Sequence, residues 1–139
     1  MINMKRMREQ LILHEGIVLD KPYRCTSGKL TIGVGRNLDD RGISEETAMQ
    51  MLDEDINIVH GELLNLFPSF SDMPEIVQES LVDLAFNMGT PTLMKFKATV
   101  AALNSQQWAI AADELLDSRY ARQVGQRAQT IADNIRSCA

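Results

Sequence analysis

A polar, glycine-rich segment between residues 21 and 42 limits the possible folds more than any other feature of this sequence. In this segment, KPYRCTSGKLTIGVGRNLDDRG, the apolar residues of LTIGVG alternate with threonine and glycine, which is the period of a strand. Ser27 and Gly28 are residue types that favour a turn. Because helical periodicity is found on both sides, the segment predicts a small β-hairpin or meander within a helical chain.

Apolar residues at helical spacing predict the other elements. The longest pattern follows Ser44, a predicted N-cap with Glu45 and Glu46 in the first turn, where carboxylates suit the positive end of the helix dipole. A later helix is predicted to open with a capping box of Asp72 and Glu75. The predicted helices cover about residues 3–14, 44–66, 74–88, 94–104, 106–117 and 125–137.

This order of elements predicts an α+β fold that is mainly helical. A chain of 139 residues has the size of one domain. We expect a single domain, 1–139, with a small sheet lobe at about 15–45 and a helical lobe at about 67–139 that includes the N-terminal helix. The long helix at 44–66 is predicted to join the lobes, and a cleft between them is predicted to hold a polymer chain.

The composition argues against several classes of function. The net charge of -5 disfavours broad nucleic-acid binding, which needs Lys and Arg to neutralise phosphates. No stretch approaches the roughly 18 apolar residues that span a bilayer, and the start lacks the apolar block of a signal peptide. We therefore expect a product made in the cytoplasm, without stable membrane association. The cysteines and histidines form neither a disulfide framework nor a zinc pattern, so no metal or cofactor is predicted.

Glu15 is the first candidate for chemistry. It lies where the first predicted helix gives way to the sheet, after the apolar residues 11–13 and before Gly16. We expect partial burial here, and burial raises the pKa of a carboxyl group, which lets the acid protonate a glycosidic oxygen near neutral pH. On its own, a glutamate at a helix end is more often a solvated charge.

Four strings of residues extend the argument beyond this glutamate. HEG at 14–16, PYRCTSGKLTIGVGRNL at 22–38, AFNMG at 85–89 and WAIAADELLDSRYARQVGQRAQ at 108–129 resemble, in order and spacing, the phage-type lysozymes, also called endolysin muramidases. The similarity spans about residues 7–136. It implies a lysozyme-like fold and cofactor-free hydrolysis of the β-1,4 bond between N-acetylmuramic acid and N-acetylglucosamine in bacterial peptidoglycan.

The resemblance also implies a catalytic triad of glutamate, aspartate and threonine, in which the last two position or activate a water. Glu15 matches the first position and Thr31 the third, whereas Cys25 stands where the family usually has aspartate. We prefer a base or water-holding role for this thiol; a small buried cysteine and a nucleophile that favours retention are the alternatives. We interpret the remaining aspartates of the region as solvated turn residues: Asp20, Asp39 and Asp40.

Three residues in the later strings match positions near the cleft in that family. Asn87 can donate to and accept from a sugar amide, with helix C-capping as the alternative. Tyr120 is predicted to line the floor of the cleft. Arg127 is predicted to lie near Glu15 and pair with it. Because a nearby cation lowers the pKa of a carboxyl group, this pairing would oppose the effect of burial. Trp108 is interpreted as a core residue.

Two other functions stay open. The missing aspartate favours a peptidoglycan-binding module with weak or no turnover. Cys25 as a nucleophile, with His14 or His60 as base, would make a peptidase or amidase, although such a cysteine usually begins a helix. For the preferred muramidase, the resemblance implies a monomeric phage or prophage product that binds glycan strands and acts in the periplasm after a separate holin allows its release.

Overall fold

The computed structural model describes residues 1–139 and has a mainly helical α+β fold, as the sequence predicts. Contacts between Cα atoms divide the chain into two compact units, Met1–Gln50 and Met51–Ala139. The boundary falls inside the longest helix, α3 (Glu45–Leu66). By its contacts the N-terminal helix belongs to the first unit. The single domain and its cleft stay predictions.

The first unit combines helices with a small antiparallel sheet. Its elements are α1 (Met4–Glu15), β1 (Val18–Arg24), β2 (Leu30–Gly33), β3 (Arg36–Asn37), α2 (Leu38–Arg41) and the first residues of α3. The strand order is β1-β2-β3. α1 begins after Asn3, whose side chain accepts a hydrogen bond from the backbone N–H of Arg6, and it ends at Gly16, where φ is 73°.

The sheet confirms the predicted meander. In the turn between β1 and β2, the N–H of Gly28 donates to the carbonyl of Cys25 at 2.8 Å. Thr31 lies opposite Tyr23 of β1 and opposite Asn37 of β3. The threonine is therefore at the centre of the sheet, paired on both sides.

The first unit has no fully buried apolar side chain. Its one buried residue is Thr31, which is 3% exposed. The apolar residues of the first helix are not buried: Met4 is 55% and Leu11 is 45% exposed. Helical spacing identified the apolar side of α1, but spacing alone cannot say whether another element covers it.

The longest predicted helix is confirmed as α3. The hydroxyl of Ser44 accepts a hydrogen bond from the backbone N–H of Thr47 at 3.1 Å, which is the predicted N-cap. Burial along this helix is uneven: Leu63 is fully buried, whereas Met51 and Ile56 are exposed. α3 therefore contributes to an apolar core mainly near its C-terminal end.

The second unit consists of helices. After α3, a 3-10 turn at Phe70–Asp72 leads into α4 (Glu75–Met88), and the remaining helices are α5 (Thr90–Leu93), α6 (Lys97–Asn104), α7 (Trp108–Leu116), α8 (Arg119–Val124) and α9 (Gln126–Arg136). Periodicity in the sequence predicts α4, α6, α7 and α9. It misses α2, α5 and α8, because fewer than about seven residues do not complete two helical turns.

The start of α4 differs from the prediction. Pro74 is the N-cap residue and no side chain caps the helix, so the predicted capping box of Asp72 and Glu75 is wrong. Asp72 instead ends the 3-10 turn. A proline suits this position because it has no N–H to leave unsatisfied.

The apolar core of the second unit is built mainly on α4, α7 and α9. Val77, Leu81 and Leu84 of α4 are fully buried, as their spacing predicts. Trp108, at the start of α7, is 8% exposed and packs in the same core, which confirms its interpretation as a structural residue. No helix combines the length and apolar character needed to cross a membrane.

Candidate active site

Glu15 is the last residue of α1, and its carboxylate lies against the backbone of Gly35. A Cβ atom added at Gly35 would lie 3.1 Å from Oε2 of Glu15 and 3.4 Å from its Cδ. Gly35 also has a φ of 67°, in the left-handed region that favours glycine. A larger residue at position 35 would therefore be strained and would press on the carboxylate.

The predicted partial burial of Glu15 is wrong, because the residue is exposed. The ion pairs within the first unit are Arg24–Asp39 and Lys29–Asp40, and neither uses Glu15. The carboxylate therefore faces water over the glycine backbone. Water can be excluded from it only when a ligand covers this surface.

Cys25 follows β1 in the turn to β2 and is half-buried. Hydrogen bonds from the backbone N–H groups of Lys29 and Ser27 lower the pKa of its thiol, and desolvation opposes them. Smaller contributions from the hydroxyls of Ser27 and Thr31 also lower this pKa. The turn thus favours the thiolate, the form that can accept a proton or bind a polarised water.

Thr31 is held in a fixed position next to that thiol. Its hydroxyl donates to the carbonyl of Lys29 at 2.8 Å. The same hydroxyl is close enough to the thiol to lower the pKa of Cys25. The structure therefore brings together the two residues that the resemblance assigns to the water.

Asp39 and Asp40 connect α2 to the hairpin. Asp39 accepts a hydrogen bond from the backbone N–H of Leu30 at 2.7 Å and lies 3.8 Å from Arg24. Asp40 pairs with Lys29 at 3.3 Å. Both are exposed, as the interpretation of solvated residues expects, but Asp39 also holds the backbone of Leu30, and Asp40 binds the side chain of Lys29.

Asn87 is exposed near the end of α4. The C-cap of this helix is Gly89, where φ is 85° and the N–H donates to the carbonyl of Ala85 at 2.8 Å. The alternative role of Asn87 as a helix cap is therefore not observed. Its amide is available to a ligand, and a role in binding substrate stays a prediction.

Arg127 is bound to Asp83 within the second unit. Its Nε and Nη2 donate to Oδ1 of Asp83 at 2.9 and 2.5 Å, and Nη2 also donates to the Asp83 carbonyl at 3.3 Å. Arg127 thus binds the carboxylate of Asp83. The sequence had predicted Glu15 as its partner. Both side chains of this pair are partly exposed.

Tyr120 lies beside the same pair. Burial raises the pKa of Tyr120, the guanidinium of Arg127 lowers it, and the carboxylate of Asp83 raises it. Tyr120 is 6% exposed, and its hydroxyl has no hydrogen-bond partner. The side chain is therefore part of the core of the second unit, and contact with a substrate stays a prediction.

Neither histidine is among the groups that contact the thiol. Those groups are Lys29, Ser27 and Thr31. His14 is exposed in the last turn of α1. The ring of His60 packs against Phe70, with centroids 5.6 Å apart.

Sequence reasoning missed two residues of these clusters. Gly35 stands in the TIGVG string, so its identity was visible, but nothing in the string indicates which side chain it contacts. Asp83 is 44 residues from Arg127, and no periodicity connects residues so far apart. Both contacts are tertiary, and tertiary contacts have no local signal.

Comparison with known proteins agrees with the fold. The family described as phage lysozyme matches residues 13–134, a range that includes Glu15, Cys25 and Thr31. Because the match covers most of the chain, the protein belongs to the phage lysozyme family. That family acts on the bacterial cell wall. No curated protein is similar enough to this chain to count as a match.

Proposed function

We propose that this protein is an endolysin-type muramidase that hydrolyses the β-1,4 bond between N-acetylmuramic acid and N-acetylglucosamine in peptidoglycan. The observation that carries the proposal is the position of Glu15, whose carboxylate lies against Gly35 in the turn after β2. Thr31 lies on that strand. A carboxylic acid close to a hairpin with water-binding groups suits the addition of water across a glycosidic bond.

Glu15 acts as the general acid. Its carboxyl donates a proton to the glycosidic oxygen while the bond to the leaving sugar breaks. Because the residue is exposed in the free protein, a bound glycan strand has to exclude water from it and so favour the neutral acid. Catalysis then depends on close contact between the glycan and the surface around Gly35.

Cys25 and Thr31 hold the water that attacks the anomeric carbon. The hydroxyl of Thr31 is oriented by its bond to the Lys29 carbonyl, and the lowered pKa of Cys25 allows its thiolate to take the proton of that water. Attack by this water from the face opposite the acid inverts the anomeric centre. Direct attack by the thiolate would instead form a glycosyl–sulfur bond, and its later hydrolysis would retain the configuration.

The decisive experiment is Glu15→Gln, tested by release of reducing ends from purified sacculi. Loss of a general acid should lower the rate about 100-fold or more. Glu9→Gln is the matched control, because Glu9 is an exposed glutamate on the same helix. We expect this control to match wild type. Equal activity of Glu15→Gln and wild type would overturn the proposal.

The role of Cys25 is tested separately. Cys25→Asp restores the residue type usual in the family and should keep activity, whereas Cys25→Ala should lose most of it. The anomeric form of the first product, followed by NMR, separates the two mechanisms: inversion supports the water-holding role, and retention supports the nucleophile.

A wall-binding module without turnover is the second candidate. The thiol at the usual aspartate position favours it. This candidate predicts that wild-type protein sediments with purified sacculi and releases no reducing sugar. Reducing ends formed by the pure protein would exclude it.

The peptidase or amidase alternative has less support. The groups that lower the pKa of the thiol are Lys29, Ser27 and Thr31, so no histidine base is in contact with it. Cys25 also lies in a hairpin turn and not at a helix start. Release of free amines in place of reducing sugars would revive this alternative.

The proposed site of action is the cell wall. We propose that the protein reaches peptidoglycan in the periplasm as a monomer, after a separate holin opens the membrane. Expression without and with a holin tests this: lysis of the host only in the second case is the expected result.

A further inference from the structure

An apolar groove runs between α3 and α4 in the second unit. Two pockets form it, with volumes of about 380 and 240 Å³, and Ile56, Glu79 and Val82 line both of them. Because the pockets share these residues, they make one continuous groove. The apolar part of its lining comes from both helices and from the 3-10 turn: Leu52, Ile56, Phe70, Val82 and Phe86.

The walls of the groove have the features of helices that lack a neighbour. α3 and α4 do not pack closely against each other. Ile56 and Phe86 are exposed, and Leu52 and Val82 are only half-buried. Packed helices lie about 8–10 Å apart with such side chains interdigitated. Large apolar side chains exposed on both walls therefore favour a further helix between them.

The edge of the groove is acidic. Glu75 and Glu79 of α4 line it and belong to no ion pair of the structure. The charge of Asp83 is balanced by Arg127, and the ring of His60 packs against the 3-10 turn. The two unbalanced carboxylates favour a helix that carries cations beside its apolar face.

The chain itself contains a helix with these properties, which is α1. No other element packs closely along α1. Met4, Arg8 and Leu11 follow the spacing i, i+4, i+7, so an apolar stripe and a cation share one face of the helix. Three of the four charged residues between positions 4 and 13 are basic: Lys5, Arg6, Arg8 and Glu9. The helix therefore matches the groove both in apolar surface and in charge.

We propose that α1 of one copy docks into the α3–α4 groove of a second copy, and that the two copies exchange this helix reciprocally. The apolar stripe packs against Ile56 and Val82 at the shared centre of the groove, and its cations lie beside Glu79. Each copy then uses the same two surfaces, as a two-fold symmetric dimer requires. The exchanged helix has 12 residues, so the interface is small and dissociates on dilution. Such a dimer is compatible with the monomer proposed at the cell wall.

The test is sedimentation equilibrium of the full chain over a range of concentrations. We expect the mass of a dimer at about 1 mM and that of a monomer at about 1 µM, as for a small interface. Ile56→Arg places a charge in the groove and should keep the protein monomeric throughout. Ile58→Arg is the matched control, because Ile58 lies on the same helix, is more exposed and lines neither pocket. This control should associate like wild type.

The α1 side of the interface has its own pair of variants. Leu11→Arg interrupts the apolar stripe and should abolish the dimer. Leu13→Arg is the control, because two residues along a helix place it on nearly the opposite side. Unchanged far-UV circular dichroism shows that each variant is folded.

A second pair of variants tests the charges. The double variant Glu75→Gln and Glu79→Gln removes both unbalanced carboxylates and should weaken the dimer several-fold. The double variant Glu45→Gln and Glu46→Gln makes the same change in net charge at the start of α3, away from the groove, and should not weaken it.

Exchange between copies can be observed by mixing two forms of the protein. One form carries a nitroxide on Glu9→Cys, in a background of Cys25→Ser and Cys138→Ser. The other form carries isotope-labelled methyl groups and no nitroxide. We expect the methyl signals of Val82 to broaden in the mixture at high concentration, because the nitroxide of one copy then lies near the groove of the other.

Three outcomes would overturn the proposal. The first is a monomeric mass at every concentration, which is also the result if a helix of the same chain fills the groove. The second is equal association of the Ile56→Arg and Ile58→Arg variants, which would place the interface elsewhere. The third is a mixture in which the Val82 signals stay sharp. All these measurements are made without peptidoglycan, so their results do not depend on the proposed muramidase activity.

Discussion

At the scale of single residues, the position of the Glu15 carboxylate depends on the absence of a Cβ atom at Gly35. Gly35→Ala would place a methyl group 3.1 Å from Oε2 of Glu15, whereas Gly28→Ala, with a φ of 76°, would meet nothing within 4 Å. Both substitutions should lower the free energy of unfolding by about 1–2 kcal/mol, from left-handed strain.

Only Gly35→Ala should also displace the carboxylate, by a few tenths of an ångström, and so lower the rate of digestion. Thermal melting and sacculus digestion measure the two effects. Equal digestion rates for the Gly35→Ala and Gly28→Ala variants would show that the contact with Glu15 is unimportant.

The lowered pKa of Cys25 predicts a measurable pH dependence. The hydrogen bonds from Lys29 and Ser27 stabilise the thiolate in the folded protein, so half-maximal alkylation by iodoacetamide should occur at lower pH than in urea-unfolded protein. A Cys138→Ser background removes the other thiol. If Cys25 is the base, activity should fall as the pH drops through the same midpoint. A folded midpoint at or above the unfolded one would contradict the assigned hydrogen bonds.

Residue types were predicted better than residue environments. Glu15, Cys25 and Thr31 were identified from their place in the sequence, and the last two are near each other because a short turn joins β1 to β2. The exposure of Glu15 and the pairing of Arg127 with Asp83 depend on contacts between distant segments. Sequence spacing carries no information on those contacts.

At the level of elements, local signals predicted the long helices and the hairpin. α3 has the N-cap and the length that the sequence indicates. The short helices α2, α5 and α8 were missed, because their few residues are fixed by neighbours more than by periodicity. The capping box of α4 failed for a related reason: the 3-10 turn before it placed a proline at the N-cap.

The N-cap of α3 gives a direct test at this scale. Ser44→Ala removes the acceptor of the Thr47 N–H and should lower the free energy of unfolding by about 1 kcal/mol, measured by urea denaturation. Ser71→Ala is the control, since Ser71 is exposed and caps no helix with its side chain. Indistinguishable urea midpoints for the two variants would show that the cap does not stabilise the helix.

On the scale of the whole molecule, the two units are stabilised differently. The second unit has an apolar core that includes Leu84, Leu115 and Ile135, all fully buried. The first unit has no buried apolar side chain, and its hairpin is held by backbone pairing and by Asp39 and Asp40. Burial of apolar area is the larger source of stability, so the first unit is expected to be the less stable one.

Native-state hydrogen exchange should show this difference. Amides of β2 and α2 should exchange at least about tenfold faster than those of α4 and α7, which corresponds to an opening free energy lower by about 1.4 kcal/mol. Mass spectrometry of peptic fragments resolves the two units. Equal protection in both would mean that polar contacts stabilise the hairpin as well as an apolar core does.

The ion pairs of the hairpin have a consequence for the medium in which the protein works. Arg24–Asp39 and Lys29–Asp40 are both exposed, and dissolved ions weaken such pairs because the Debye length shrinks to about 3 Å at 1 M. The hairpin that holds the proposed catalytic groups therefore loses part of its stabilisation as the ionic strength rises, whereas the apolar core of the second unit keeps the contribution of its buried leucines.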